Sequence, residues 1–293
     1  MSKDLKNNRL TDFIIPSKGE EIKSIFYTDP KFRSENWNQS GSEQSSIARP
    51  EEIESCLKAC PNLEELVLNG DFGGVIDTQP NEIFGEIITT IAAYGSNLRS
   101  LSISSNSLLD EHLKHFNQEA FPLLRKLSLP NCHRLGALGL EYAFSGCPKI
   151  INLDIDYSLY TEANEAAKII GKYLGELRQL NMHRTCNMLD DGLAAIAEGC
   201  PHIEQMEIGR NYELTDEALK KVSEHCLDLQ LLGMYYNHKV SEKGLKYILK
   251  GCRGFKCFHH GRGCCQIEEV KNVEINYPQV CFSGEKPFCV KGA

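Results

Sequence analysis

The chain of 293 residues lacks several things that would place it quickly. It has no apolar run near the ~18 residues that a membrane span needs, and its first 25 residues contain no signal-peptide core. It has no excess of basic charge: 32 Lys and Arg face 40 Asp and Glu, a net charge of -8. The electrostatic footprint of a nucleic-acid binder is therefore missing. These absences predict a soluble, intracellular protein, cytoplasmic or nuclear, that binds neither nucleic acid nor membrane.

What the chain does have is a repeat. Strand starts fall at Leu63, Leu98, Leu124, Ile150, Leu177, Ile203, Leu229 and Phe255, at spacings of 35, 26, 26, 27, 26, 26 and 26. The stretch Cys200 to Cys226 shows one unit in full. Ile203, Met206 and Ile208 follow L-x-x-L-x-L, the alternation of a short strand with one apolar face. Thr215-Asp216 then supplies a helix N-cap, and Leu219 and Val222 recur at helical spacing. A period of 26 lies within the roughly 20–29 residues of leucine-rich repeats. The fold class expected is α/β: a right-handed leucine-rich-repeat solenoid of eight to nine repeats, with a parallel sheet on the concave side and helices on the convex side.

Thirteen cysteines in a secreted protein would suggest disulfides. Here Cys60, Cys147, Cys200, Cys226 and Cys252 each stand three residues before a strand start, where other units hold Gly95, Phe121, Leu174 and Tyr277. The position asks for a small or apolar buried group, so reduced thiols used as packing are expected.

The pattern C-P-x-[LI]-x-x-[LM]-x-[LI] at Cys60, Cys147 and Cys200, with [LV]-[TS]-[DE]-x-[AG]-L at Leu214 to Leu219 and Val240 to Leu245, resembles the cysteine-containing leucine-rich repeats of two kinds of protein. These are the F-box/LRR proteins and the F-box-less, Amn1-like antagonists of mitotic exit. The first resemblance implies substrate recognition in an SCF-type ubiquitin ligase pathway, with a Skp1-type adaptor docked through an N-terminal F-box. The second implies a stand-alone scaffold or inhibitor of a signalling protein.

Residues 1–49 do not follow the repeat and are expected to be a cap or arm, partly disordered, with no clear F-box. Ile22, Ile25 and Tyr27 suit a capping strand, Ser40 to Ser46 reads as a loop, and Pro16 to Phe26 resembles only the opening of an F-box. Pro50 is placed to open the first helix, with Ile53 and Leu57 inward. Residues 50–282 form the array. The longer first spacing comes from Asp71 to Asn81, a Gly- and Pro-containing insertion that is a candidate contact loop. Pro278-Gln279-Val280 starts a last edge strand, and 283–293 form a tail.

In such an array the residues between the strand leucines are free to work. Early strands offer Glu65, Ser100, Ser102, Lys126 and Ser128. Later ones offer Asn152, Asp154, Asp156, Tyr157, Gln179, Asn181, His183, Arg184, Gln205, Glu207, Arg210, Leu231, Tyr235, Tyr236, Cys257, His259 and Arg262. The run from Asp154 to Arg262 carries the Tyr and Arg enriched in binding hot spots, with Leu231, Tyr235 and Tyr236 expected to be exposed. It is the candidate protein-binding face.

Other constellations invite chemistry but lack parts. Cys257, His259, His260, Cys264 and Cys265 are zinc-ligand types without a finger or ribbon spacing. Ser283 to Phe288 mimics a zinc-finger linker without the ligands. His183 with Asp154, Asp156 and Cys186 has hydrolase residue types but no nucleophile elbow. The exit residues Asp71, Asn106, Cys132, Ser158, Thr185, Asn211, Asn237 and Gly263 are expected to tie down backbone rather than react. No metal, cofactor or enzymatic activity is expected.

Overall fold

The computed structural model describes residues 2–4, 22–28, 50–70, 80–159, 161–260 and 267–283. The chain divides into two compact units, Met1–Ile150 and Ile151–Ala293.

In the first unit, β1 (Ser2–Asp4), β2 (Ser24–Thr28), β3 (Glu65–Asn69), β4 (Ser100–Ser104) and β5 (Lys126–Ser128) lie side by side in sequence order. All pair in parallel, in registers such as Ile25↔Leu66↔Leu101↔Leu127. Ile22, Ile25 and Tyr27 are buried. The F-box-like fragment thus enters strand β2 at Ser24, while its start, Ser40 to Ser46, and 71–79 of the insertion lie outside the described residues. Helices α1 (Pro50–Ala59), α2 (Pro80–Tyr94) and α3 (Ala137–Gly146) turn Ile53, Leu57, Ile87, Ile91, Leu140 and Phe144 inward. The α-helix expected after β4 is instead a six-residue 3₁₀ helix, Asp110–His115. The cause is local: the Asn117 side chain accepts from the backbone N–H of Glu119 and Ala120 at 3.0 and 2.8 Å, a turn that competes with helix.

The second unit is more regular. Strands β6 (Asn152–Asp154), β7 (Gln179–Asn181), β8 (Gln205–Glu207), β9 (Leu231–Gly233), β10 (Cys257–His259) and β11 (Cys281–Ser283) run parallel in sequence order. They alternate with α4 (Ala163–Tyr173), α5 (Asp190–Gly199), α6 (Asp216–His225), α7 (Glu242–Gly251) and α8 (Ile267–Asn276). Leu153, Leu180, Met206, Leu232 and Phe258 stand in one register row, buried against helix residues such as Ile170, Ile196, Val222 and Ile248. Burying one such side chain contributes ~2 kcal/mol, so the repeated apolar positions hold the unit.

The recurring spacing within the repeats has two further physical causes. Thr215 and Ser241 accept from the N–H of Glu217 and Lys243, capping α6 and α7. Each also donates through its own N–H and hydroxyl to an aspartate one repeat earlier, Asp190 and Asp216, at 2.5 to 2.8 Å. The Thr/Ser-Asp/Glu step therefore caps its own helix and receives the next. The cysteines before the strands are buried as free thiols, and Cys252 Sγ donates to the Cys226 carbonyl at 3.3 Å. Burial pushes Cys147, Cys200 and Cys226 up to about 12, which holds them as inert thiols.

Below the strands the exit residues Ser158, Thr185, Asn211 and Asn237 are completely buried. Thr185 Oγ1 donates to the Met182 carbonyl at 2.9 Å, Asn211 Nδ2 to the Ile208 carbonyl at 3.0 Å and Asn237 Nδ2 to that of Ile208 at 3.2 Å. They do the backbone-tying work expected of them.

Candidate functional site

The outer side of strands β6 to β10 is built in rows, because each strand contributes one residue per register position. The first row is Asn152, Gln179, Gln205, Leu231 and Cys257. Asn152 Nδ2 donates to Gln179 Oε1 at 2.6 Å, and Leu231 is half-buried. The second row is Asp154, Asn181, Glu207, Gly233 and His259, where Asn181 Nδ2 donates to Asp154 Oδ1 at 2.9 Å.

Glycine makes the third pairing of this row. A β-carbon on Gly233 would collide with the Glu207 carboxylate, so its absence lets Glu207 lean across β9 to His259. His259 Nδ1 lies 2.9 Å from Glu207 Oε1, joining residues 52 apart in sequence. Past the strand ends, Asp156 Oδ1 lies 3.2 Å from His183 Nδ1. Gly209 leaves a second gap: a β-carbon there would stand 2.7 Å from the His183 ring and 3.2 Å from Tyr235 Cβ.

Tyr235 fills that gap, and here the expectation of an exposed ring is corrected. The residue is only 7% exposed, with its ring 6.1 Å from that of His183 and 6.5 Å from that of His259. The imidazoles are themselves 4% and 3% exposed. Burial, with Glu207 nearby, raises the Tyr235 phenol well above the usual range, so it stays protonated. Its hydroxyl has no hydrogen-bond partner among the described residues. Tyr235 is a packed centre of the face rather than a free contact.

The outermost row is Tyr157, Arg184, Arg210 and Tyr236, all half-buried. Arg184 lies 5.6 Å from the centre of the Tyr157 ring and Arg210 4.8 Å from that of Tyr236, both within cation–π range. Two exposed neighbours that sequence reasoning passed over extend this row: the rings of Tyr212 and His238 stack at 6.1 Å and 8°. Their signal was present in the register, since both lie two residues past the Arg210 and Tyr236 positions.

Arg262 lies outside the described residues, as do Cys264 and Cys265 of the cysteine-histidine constellation. Among the described residues, no group of three or more His, Cys, Asp or Glu stands close enough to hold a metal ion. Cys186, grouped by sequence with His183 and Asp156, has its thiol donating to the Arg184 carbonyl at 3.8 Å, and burial raises its pKa against the pull of Arg210. That favours the thiol over the nucleophilic thiolate. No helix of the described residues is long and apolar enough to cross a membrane.

No protein-family model matches the chain, and no curated protein matches it. Solved structures do. The structure of the yeast Rad7 and Elc1 complex is similar over 82% of this chain at 14% identity, with a TM-score of 0.57, and this chain covers 66% of that one, just under two thirds. The leucine-rich-repeat-containing protein LegL7 from Legionella pneumophila is similar over 94% of this chain and 97% of its own, at 13% identity and a TM-score of 0.49. The parallel strands with L-x-x-L-x-L cores, alternating with helices at a spacing that is 26 or 27 residues after Leu98, are the leucine-rich-repeat fold.

Proposed function

We propose that this chain is a non-enzymatic protein-binding module that holds its partner on the outer side of strands β6 to β10. One observation carries the reading: the same repeat frame presents Glu65, Ser100, Ser102, Lys126 and Ser128 in the first unit but adds His, Arg and Tyr to the acids in the second. The strand ladder dictates neither set, since both sit on the side of the strands away from the leucine core. Tyr and Arg on a rigid, half-buried surface are the groups that dominate binding energy at interfaces.

The finer reading is substrate recognition in an SCF-type ubiquitin ligase pathway, with a Skp1-type adaptor on the N-terminal segment. Its support is the repeat resemblance and the likeness in fold to Rad7, a protein solved as a complex with another protein. A second reading, the stand-alone scaffold or inhibitor, is favoured by strand β2: Ser24 to Phe26, the end of the F-box-like fragment, are paired in the sheet with Glu65 to Val67.

The test is affinity capture from lysate with the full chain, identified by mass spectrometry, beside the variant Tyr157→Ala/Arg210→Ala/Tyr236→Ala. Tyr235 is left intact because it is buried. The variant should hold its partner at least about 2 kcal/mol more weakly while melting within a few degrees of the natural chain. Co-capture of a Skp1-type adaptor and a cullin supports the ligase reading; a partner held without them supports the scaffold. Undiminished capture by the variant would rule out the face.

A further inference from the structure

The exits of β6 to β9 hold Tyr157, Arg184, Arg210 and Tyr236 at φ of 58°, 60°, 63° and 61°, the left-handed region that carries a steric penalty for residues with a β-carbon. The backbone needs this turn. The N–H groups of Tyr157, Arg184 and Arg210 donate to the carbonyls of His183, Gly209 and Tyr235, continuing the strand ladder. It does not need these side chains, for Gly or Asn adopts the conformation more readily, and the corresponding exit of β5 has Asn131 at 58°. Four successive repeats nevertheless place Tyr, Arg, Arg and Tyr there.

The two guanidiniums are also electrostatically unspent. Elsewhere in this unit Arg178 meets Glu204, Lys168 meets Glu165 and Asp191, Lys239 meets Glu213, and Lys246 meets Glu242. Arg184 and Arg210 have no carboxylate within ion-pair distance among the described residues, and Arg184 Nε is buried there without a hydrogen-bond partner. The face's own acids are engaged elsewhere, Asp156 with His183, Glu207 with His259 and Asp154 with Asn181. The Tyr157 and Tyr236 rings hold the two guanidinium planes from either end, which lowers the ordering cost of an incoming ligand.

We infer that Arg184 and Arg210 form an anion site that takes the carboxylates of an acidic segment on the protein partner. The inference rests on the partner-binding reading of this face and names what the partner must present. A planar guanidinium matches a carboxylate with two parallel hydrogen bonds, and neighbouring strand exits set the backbones of the two arginines about 4.8 Å apart. The chain's net charge of -8 opposes acidic polymers at long range, so any affinity for one must arise at a local site.

The test is fluorescence anisotropy on the full chain with labelled hexaglutamate and labelled hexaglutamine, in about 50 mM and about 300 mM salt. Hexaglutamate should bind about tenfold tighter or better than hexaglutamine, and R184Q/R210Q should lose at least about tenfold of that affinity. The control K220Q/K250Q, which removes the same charge from exposed positions of α6 and α7, should lose almost none. Circular dichroism melts confirm that each variant is folded. Equal binding by R184Q/R210Q and the natural chain, an equal loss in K220Q/K250Q, or no binding of hexaglutamate would overturn the site. So would a phosphoserine peptide binding where hexaglutamate does not. Failure here is separable from failure of the partner reading: a captured partner held by R184Q/R210Q as firmly as by the natural chain, yet lost by Tyr157→Ala/Tyr236→Ala, would remove the anion site and leave the face.

Discussion

The two units are built on one repeat and differ in what they carry on the outer side of their strands. In both, leucines and isoleucines of parallel strands meet helices across an apolar core, and in both a cysteine packs before a strand. On the outer side, β3 to β5 carry Glu65, Ser100, Ser102, Lys126 and Ser128, whereas β6 to β10 carry two carboxylate–imidazole pairs around a buried tyrosine, rimmed by Tyr–Arg pairs. The frame is indifferent to this choice. The proposed binding face therefore stands apart from the residues that fill the core, and substitutions should separate the two.

The largest effect should be common to both units. Leu101→Ala in β4 and Leu232→Ala in β9 each remove a completely or almost completely buried side chain, and urea titration should show a loss of ~3 kcal/mol for each. Gly233→Ala should cost ~2 kcal/mol, because the new β-carbon meets the Glu207 carboxylate and drives it from His259. Ser102→Ala, in the plain face of the first unit, should change stability by about 0.5 kcal/mol or less. Equal costs for these two would mean that the second face is no more tightly built than the first.

Alkaline pH tests the shared cysteines. The unfolded thiols titrate near pH 9, while burial raises Cys147, Cys200 and Cys226 to about 12 and Cys252 to about 11. Above about pH 9 the folded chain keeps protons that the unfolded chain has lost. The contribution is thus fully present below pH 9 and is lost as pH rises through the folded values. In the presence of a reductant, urea midpoints should fall from pH 8.5 to 10.5, and Cys226→Ala should flatten the slope by about 1.4 kcal/mol per pH unit. An unchanged slope would mean that this thiol is not buried in solution.

The smallest stability effect is the most informative about function. Arg210→Gly relieves a left-handed strain, but it loses the Tyr236 ring contact and adds chain entropy to the unfolded state. These terms nearly cancel, so stability should shift by less than about 0.5 kcal/mol while partner capture falls about tenfold. A large loss of stability would make Arg210 a structural residue.

The repeat could be read from the sequence because it is written in local spacings: two residues and then one between inward apolar side chains, mostly 26 from unit to unit, Thr215 or Ser241 where a helix begins. The rows of the face could be read too, since register follows from the period. What escaped was how those rows pack. The burial of Tyr235 depends on the missing side chain at Gly209, one strand away, and the Glu207–His259 pair depends on Gly233 between them. Neither dependence leaves a mark in local periodicity. The left-handed exits of Tyr157, Arg184, Arg210 and Tyr236 escaped for another reason: intrinsic preference assigns such turns to Gly or Asn.

The central claim is that the outer face of the second unit is where the partner sits. Hydroxyl-radical footprinting of the natural chain, free and with its captured partner bound, reads this directly from side chains. Tyr157, Tyr212, Tyr236 and His238 should be protected on binding, while Tyr94, an exposed ring in the first unit, should react as before. Protection of Tyr94 with no change at the other four would contradict the account.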